Sequence, residues 1–416
     1  MAQSVQDQAE LIRMTVALAD AFNPSGPVAR TDLFAGRVDQ LSSILSAVGQ
    51  AGQHAILYGD RGVGKTSLAG LAHQFWANHV REYQRIFPIR YSCDSEDTFG
   101  TVWQNVAELI SDHYEIKATP RPKSETWRQL FEAVVAGEAS PHSVRRLLAL
   151  SDQMFIIVID EFDQITDEHT VQTFASTIKA LSDFLVDATL ILVGVADTVD
   201  DLIGDHESID RALAQVHMPP MSTDELNTVI RTGYDRVGFT VDEQVLELMG
   251  RLAQGLPHYA HRIGQEAGYS AIERSTKEVE KQDVETALKK AVQLTNESIR
   301  NAYSKAITSP QKALYDKVLL ACALAQVDDL GYFAPSDVRE PLAGTANRMY
   351  SIPQFVGHLK KFTTEARGVV LQVTGEEWRK RYRFTNPLMR PYVVLHGIQD
   401  GSIDQDTVKR LEHING

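Results

Sequence analysis

Two short stretches carry the residues best suited to chemistry. Gly59-Asp60-Arg61-Gly62-Val63-Gly64-Lys65-Thr66 has the spacing G-x-x-x-x-G-K-[ST], a loop in which glycines let backbone N–H groups turn inward around phosphate oxygens. Lys65 is then expected to reach the β- and γ-phosphates, the Thr66 hydroxyl to ligate Mg²⁺, and Ser67 to follow in the opening turn of a helix whose N-terminus adds partial positive charge. About 95 residues later, Phe155-Ile156-Ile157-Val158-Ile159 runs into Asp160-Glu161. Neighbouring strand residues face opposite ways, so Asp160 is expected at the metal and Glu161 at the attacking water, which it would orient and deprotonate. The cofactors implied are ATP and Mg²⁺.

Such groups need rigid elements behind them. Apolar runs at Ala55–Tyr58, Ile86–Tyr91, Phe155–Ile159 and Thr189–Val195 are short, rich in β-formers and separated by amphipathic stretches of helix length. That alternation predicts an α/β fold with a parallel sheet. From about Thr223 to Asn301 helical spacing takes over, as in Val245, Leu246, Leu248, Met249 and Leu252. Beyond Ser309-Pro310, helices over Gln311–Ala325, Ala334–Leu342 and Ile352–Glu365 precede two strand-like pieces, Gly368–Val373 and Tyr382–Phe384, around a polar turn. Helices followed by a β-hairpin predict a winged helix-turn-helix. Residues 112–150 carry no legible pattern.

The P-loop, the Ile-Asp-Glu box and the stretch Asp32-Leu33-Phe34-Ala35-Gly36-Arg37 together resemble an AAA+ ATPase of the origin-recognition initiator clade. STAND-type switch ATPases and transposition regulators share much of this. The resemblance implies a parallel P-loop sheet with a helical lid and a C-terminal winged helix, and it places Phe34, Gly36 and Arg37 beside the adenine. It also implies that the strand Thr189–Val195 ends in a sensor, for which Asp197 and Thr198 are the candidates. Arg211, in Ser208-Ile209-Asp210-Arg211-Ala212-Leu213, resembles an arginine finger given to a neighbouring subunit. Gly255-Leu256-Pro257-His258 resembles the segment that closes over nucleotide, with His258 where the initiator pattern has Arg, and Arg262 one turn later able to substitute. The expected domains are a helical extension at 1–29, the nucleotide-binding domain at 30–221, the lid at 222–304 and the winged helix at 305–416.

Charge and composition bound the partners. The 416 residues carry a net charge of −14, which argues against a protein that coats nucleic acid through bulk electrostatics. From Lys305 onward the balance is +3, so DNA contact is expected there, through Lys360, Lys361, Arg379, Lys380, Arg381 and Arg383. Two cysteines suit a reducing compartment, and no run of about 18 apolar residues is present, so the cytoplasm is expected. The reading that follows is an ATP-hydrolysing, homo-oligomeric switch that engages DNA or a partner. The alternative is a STAND-like signalling or phage-defence ATPase whose effector is a separate protein and which does not itself bind DNA.

Overall fold

A computed structural model describes residues 2–24, 37–79, 86–116, 121–151, 153–204, 209–308, 314–328, 330–376 and 379–404. Phe34 and Gly36, with the rest of 25–36, lie outside the described residues, as does Ser208.

The chain starts with α1 (Ala2–Ala21) and α2 (Val38–Val48). Next come β1 (His54–Tyr58), α3 (Lys65–His79), β2 (Ile86–Ser92), and three helices, α4 (Phe99–Ile116), α5 (Glu125–Val135) and α6 (Pro141–Ala149). Then β3 (Met154–Asp160), α7 (Glu168–Asp183), β4 (Ala188–Val193), α8 (Val199–Ile203) and β5 (Leu213–His217) complete a five-stranded parallel sheet of order β2-β3-β4-β1-β5. The four strands expected from apolar runs are present; β5, a short edge strand beside β1, is an addition.

The sheet is buried on both faces, as parallel sheets must be. Along β3, Ile156 and Val158 join one core while Phe155, Ile157 and Ile159 join the other. The second core is closed by α4 to α7, which gives residues 112–150 a role: α5 and α6 cover this face with Trp127, Phe131, Val144 and Leu147. Their starts are local chemistry, Ser124 accepting from the Trp127 N–H and Ser140 forming a capping box ahead of Pro141.

The helical region begins with α9 (Thr223–Val237), opened by a Ser222–Glu225 capping box and ended by Gly238 at φ 70°. It continues as β6 (Thr240–Val241), α10 (Glu243–Leu252), α11 (Pro257–Glu273), β7 (Glu278–Val279), α12 (Lys281–Gln293) and α13 (Glu297–Ile307), with β6 and β7 forming a two-residue parallel bridge. The last part contains α14 (Tyr315–Leu324), α15 (Pro335–Ala346), α16 (Ile352–Phe362), an antiparallel hairpin of β8 (Leu371–Thr374) and β9 (Arg381–Phe384), and α17 (Met389–Gln399). Phe333 bridges to Tyr382 beside the hairpin. Three helices thus precede the hairpin, in the order read from the sequence.

One continuous apolar core runs from the sheet face through the lid into this last unit, from Ile156 through Leu252 and Ala260 to Leu359 and Val394. The N-terminal helix is built into the lid as well. Phe22 and Leu18 press on Gly264, Gly268 and Gly233, where an added Cβ would sit 2.5 Å from their side chains.

Candidate functional site

At the end of β1 the chain turns through Gly59 at φ 141°, where a Cβ would lie 2.4 Å from the Met218 carbonyl. Only glycine fits that approach. Gly62 and Gly64 also have positive φ, and the loop opens α3. Lys65 is buried and donates to the carbonyls of Gly59 (2.9 Å) and Asp60 (2.7 Å), holding its ammonium at the mouth of the loop. Burial lowers its pKa to about 8, with Asp163, Asp60 and Asp160 acting in the opposite sense.

Asp160 ends β3 with its carboxylate buried and bonded on both oxygens. The Thr66 hydroxyl (3.2 Å) and the Glu161 N–H (3.0 Å) donate to Oδ1, and Arg90 donates to Oδ2 at 2.7 Å. Glu161 sits at φ 53°, which turns its side chain off the strand into the cavity, where the Ser92 hydroxyl donates to Oε2 at 3.2 Å. Asp163 accepts from the Val195 N–H (2.8 Å) and so ties the end of β3 to the end of β4. Arg90, Ser92 and Asp163 were not foreseen; the repeat of Asp at 160 and 163 was the only signal for any of them.

These groups line one cavity of about 640 Å³. Arg61, Gly62, Gly64, Lys65, Thr66, Ser67, Asp160, Glu161, Asp163, Gly194 and Val195 line it from the sheet domain, and Asn23, Pro24, Pro257, His258, His261 and Leu388 complete it, with Pro257 beside Gly64 and Leu388 beside Gly62. The P-loop side suits the phosphates of a nucleotide: glycines at positive φ, a buried ammonium and a helix N-terminus. Thr66 and Asp160 supply hard oxygens side by side, a donor set that fits Mg²⁺ completed by phosphate and water. Such an ion supplies charge neutralisation on the phosphates.

The lid end differs from expectation. His258 donates from Nδ1 to the Pro24 carbonyl at 2.5 Å, tying α11 to the segment after α1. Arg262 is not among the residues lining the cavity; His261, three residues after His258, is. Arg37 is buried, and its guanidinium bonds the Pro219 carbonyl and lies 3.7 Å from Glu225, so it joins α2 to the start of α9. Arg211 lies in a short 3₁₀ turn before β5, exposed and away from the cavity of its own chain, its carbonyl accepting from Gln53 at 2.8 Å.

The sensor candidates take other work. Thr198 caps α8 in a box with Asp201, and Asp197 lies outside the cavity lining, bound to Arg383 of the hairpin. Arg383 is the main correction to the sequence reading. Its side chain is only 16% exposed, it bonds Asp197, lies 3.6 Å from the P-loop's Asp60, and stacks over Tyr332, whose hydroxyl also donates to Asp197 at 3.2 Å. A guanidinium spent on two carboxylates of its own chain is withdrawn from DNA phosphates. Arg381 pairs with Asp328 at 2.7 Å and Lys361 lies over the Tyr315 ring. Lys360, Arg379 and Lys380 line a groove floored by Ile352 and Val356.

The comparisons agree on class. A family model described as Novel STAND NTPase 1 matches residues 26–325. An ORC1-type DNA replication protein of Methanocorpusculum labreanum is 22% identical over 227 residues, covering 51% of this chain and 51% of that protein. The chain thus spans about half the length of this curated relative. Among solved structures, the Walker-type ATPase paby2304 of Pyrococcus abyssi aligns with a TM-score of 0.54 at 17% identity, covering 89% of this chain and 98% of that one. The ORC1 protein of Aeropyrum pernix in complex with DNA aligns at 0.46 and 17% identity, covering 91% and 95%. At 17% identity the likeness to the Walker-type ATPase speaks for the fold alone. Among the described residues no helix is long and apolar enough to cross a membrane.

Proposed function

The chain belongs to the novel STAND NTPase 1 family, and we propose that it is a cytoplasmic, ATP-hydrolysing switch whose C-terminal unit docks over the nucleotide cavity in one state and leaves it in another. In this reading Lys65 holds the β- and γ-phosphates, and Thr66 and Asp160 hold Mg²⁺. Glu161, released from Ser92, orients and deprotonates the attacking water. Arg211 completes the cavity of a neighbouring copy, so that hydrolysis and assembly are linked. The working units are a helical extension at 1–29, the α/β domain at 30–221, the lid at 222–304 and the last unit at 305–416, with Leu18 and Phe22 of the extension packed on the lid.

One observation carries the switch. Arg383 of the hairpin is clamped between Asp60 of the P-loop and Asp197 past β4, and Leu388, five residues on, forms part of the cavity wall. Whatever changes at the phosphates is thus felt by the last unit within one side chain. Nucleotide-dependent undocking would be a rigid-body change at a bistable interface.

What the freed unit meets is read from its groove. Lys360, Arg379 and Lys380 beside Ile352 and Val356 suit an acidic partner, DNA or protein. The engagement of Arg383 with Asp60 and Asp197 favours a protein effector in the docked form and DNA only after release, which would free Arg383 but leave Arg381 on Asp328 and Lys361 on Tyr315. The test is the mass in solution of the full chain with ATP and Mg²⁺, with ADP, and with neither, each with and without a short duplex. Assembly that needs ATP supports the switch, and uptake of the duplex in that state alone assigns DNA as the partner. A single mass in all six conditions would refute the proposal.

A further inference from the structure

His261 is a polar side chain that the phosphate chemistry leaves unused. It lies on α11, is 5% exposed, and lines the same cavity as Lys65 and Thr66. Its Nδ1 is buried with no hydrogen-bond partner. The ring is fixed by an edge contact with Phe22 (centroids 6.0 Å apart at 75°), and Phe22 is itself wedged against Gly264.

A buried histidine in this position is neutral at physiological pH, because burial lowers its pKa to about 4. A neutral imidazole carries one N–H and one lone pair. A buried N–H without an acceptor is rarer and costlier than a buried lone pair without a donor, so the walled-off Nδ1 is the bare nitrogen. The proton then resides on Nε2, the ring's remaining polar atom, and His261 meets the cavity as a hydrogen-bond donor. A nucleotide with its phosphates at Lys65 and Thr66 that fills this cavity would bring its base among Asn23, Pro24, His258 and His261. Pro24 packs a flat ring and carries no donor, and the Nδ1–H of His258 is spent on the Pro24 carbonyl.

We propose that His261 reads the nucleobase, donating its Nε2–H to a bare ring nitrogen of the purine. This deepens the reading of the cavity as the nucleotide site and rests on it. Pro24 then packs a ring face and His261 supplies a directional group for its edge.

The test is calorimetric titration of the full chain with ATP, with its 1-deaza, 3-deaza and 7-deaza analogues, and with inorganic tripolyphosphate, in Mg²⁺. In the wild type one deaza analogue should bind about tenfold more weakly than ATP, the worth of one hydrogen bond. In His261→Leu, ATP itself should weaken about tenfold, that analogue should lose its handicap, and tripolyphosphate should bind as before. Three deaza analogues that all match ATP in the wild type would overturn the inference without any variant, as would a handicap that persists in His261→Leu. Tripolyphosphate binding without ATP preference would remove the base contact and leave the phosphate site standing. Failure of every ligand to bind would remove both.

Discussion

Replacing Arg383 by Gln should loosen the docking of the last unit on the P-loop and speed the escape of bound ADP. The guanidinium is 16% exposed, and its partners Asp60 and Asp197 are 17% and 28% exposed, so the cluster is shielded but not dry. A unit pair at 3.6 Å has a gross attraction of about 5 kcal/mol at an effective dielectric of about 20. Much of this offsets desolvation, and removal also leaves two carboxylates facing each other, so we expect about 2 kcal/mol of docking to be lost. That corresponds to about 30-fold in the ratio of docked to undocked forms. Docking would still be supported by the Tyr259 hydroxyl donating to the Leu388 carbonyl at 3.0 Å, so the variant should remain folded. Stopped-flow release of a fluorescent ADP should accelerate by up to about 30-fold in Arg383→Gln. Added salt should accelerate release in the wild type more than in the variant, where the attraction that salt screens is already gone. Asp197→Asn should reproduce most of the effect, and the double variant should add little to it. A release rate within about twofold of wild type, in a variant of unchanged circular dichroism, would refute the latch.

Glu161→Gln should bind nucleotide as the wild type does and lose turnover by about 10²–10⁴-fold, whereas Lys65→Ala should lose both binding and turnover; a fully active Glu161→Gln would place the base elsewhere. Acid should destabilise the fold through His54, which is fully buried at the start of β1, accepts the Leu190 N–H on Nδ1 at 2.9 Å, and has its pKa lowered by burial to about 4. Because the folded pKa lies below the unfolded one, the neutral ring's contribution is complete above about pH 6.5 and declines as pH falls toward 4, by at most about 3 kcal/mol. Denaturant titrations from pH 7.5 to 4.5 should show that decline, and a flat profile would rule it out.

The parts legible in the sequence were those whose cause is local. The P-loop was readable because a phosphate cradle needs glycines, a lysine and a hydroxyl within eight consecutive residues. The three inner strands β3, β4 and β1 were readable because a strand buried on both faces is apolar throughout, as in Phe155–Ile159, and β2, at the edge, was readable from its Ile, Phe and Tyr. β5 escaped because Leu-Ala-Gln-Val-His is an edge strand with a mixed pattern, and α5 and α6 escaped because their apolar stripes are short and interrupted. In the lid the spacing of His258 and Arg262 suggested a shared face, but the helix turns Arg262 away from the cavity and His261 toward it.

The chain by itself therefore determined the phosphate-binding loop, the acidic end of β3, the central strands and the order of helices and hairpin, since each follows from backbone preference and burial within a few residues. Tertiary structure alone decided what the charged side chains do. In sequence Arg383 belongs to a basic run and reads as a contact for nucleic acid. In space it stands opposite Asp60 and Asp197, more than 180 residues away, in a partly buried seam. A charge takes its role from the nearest opposite charge and the water left around it, and both are fixed only when the lid and the last unit close against the sheet.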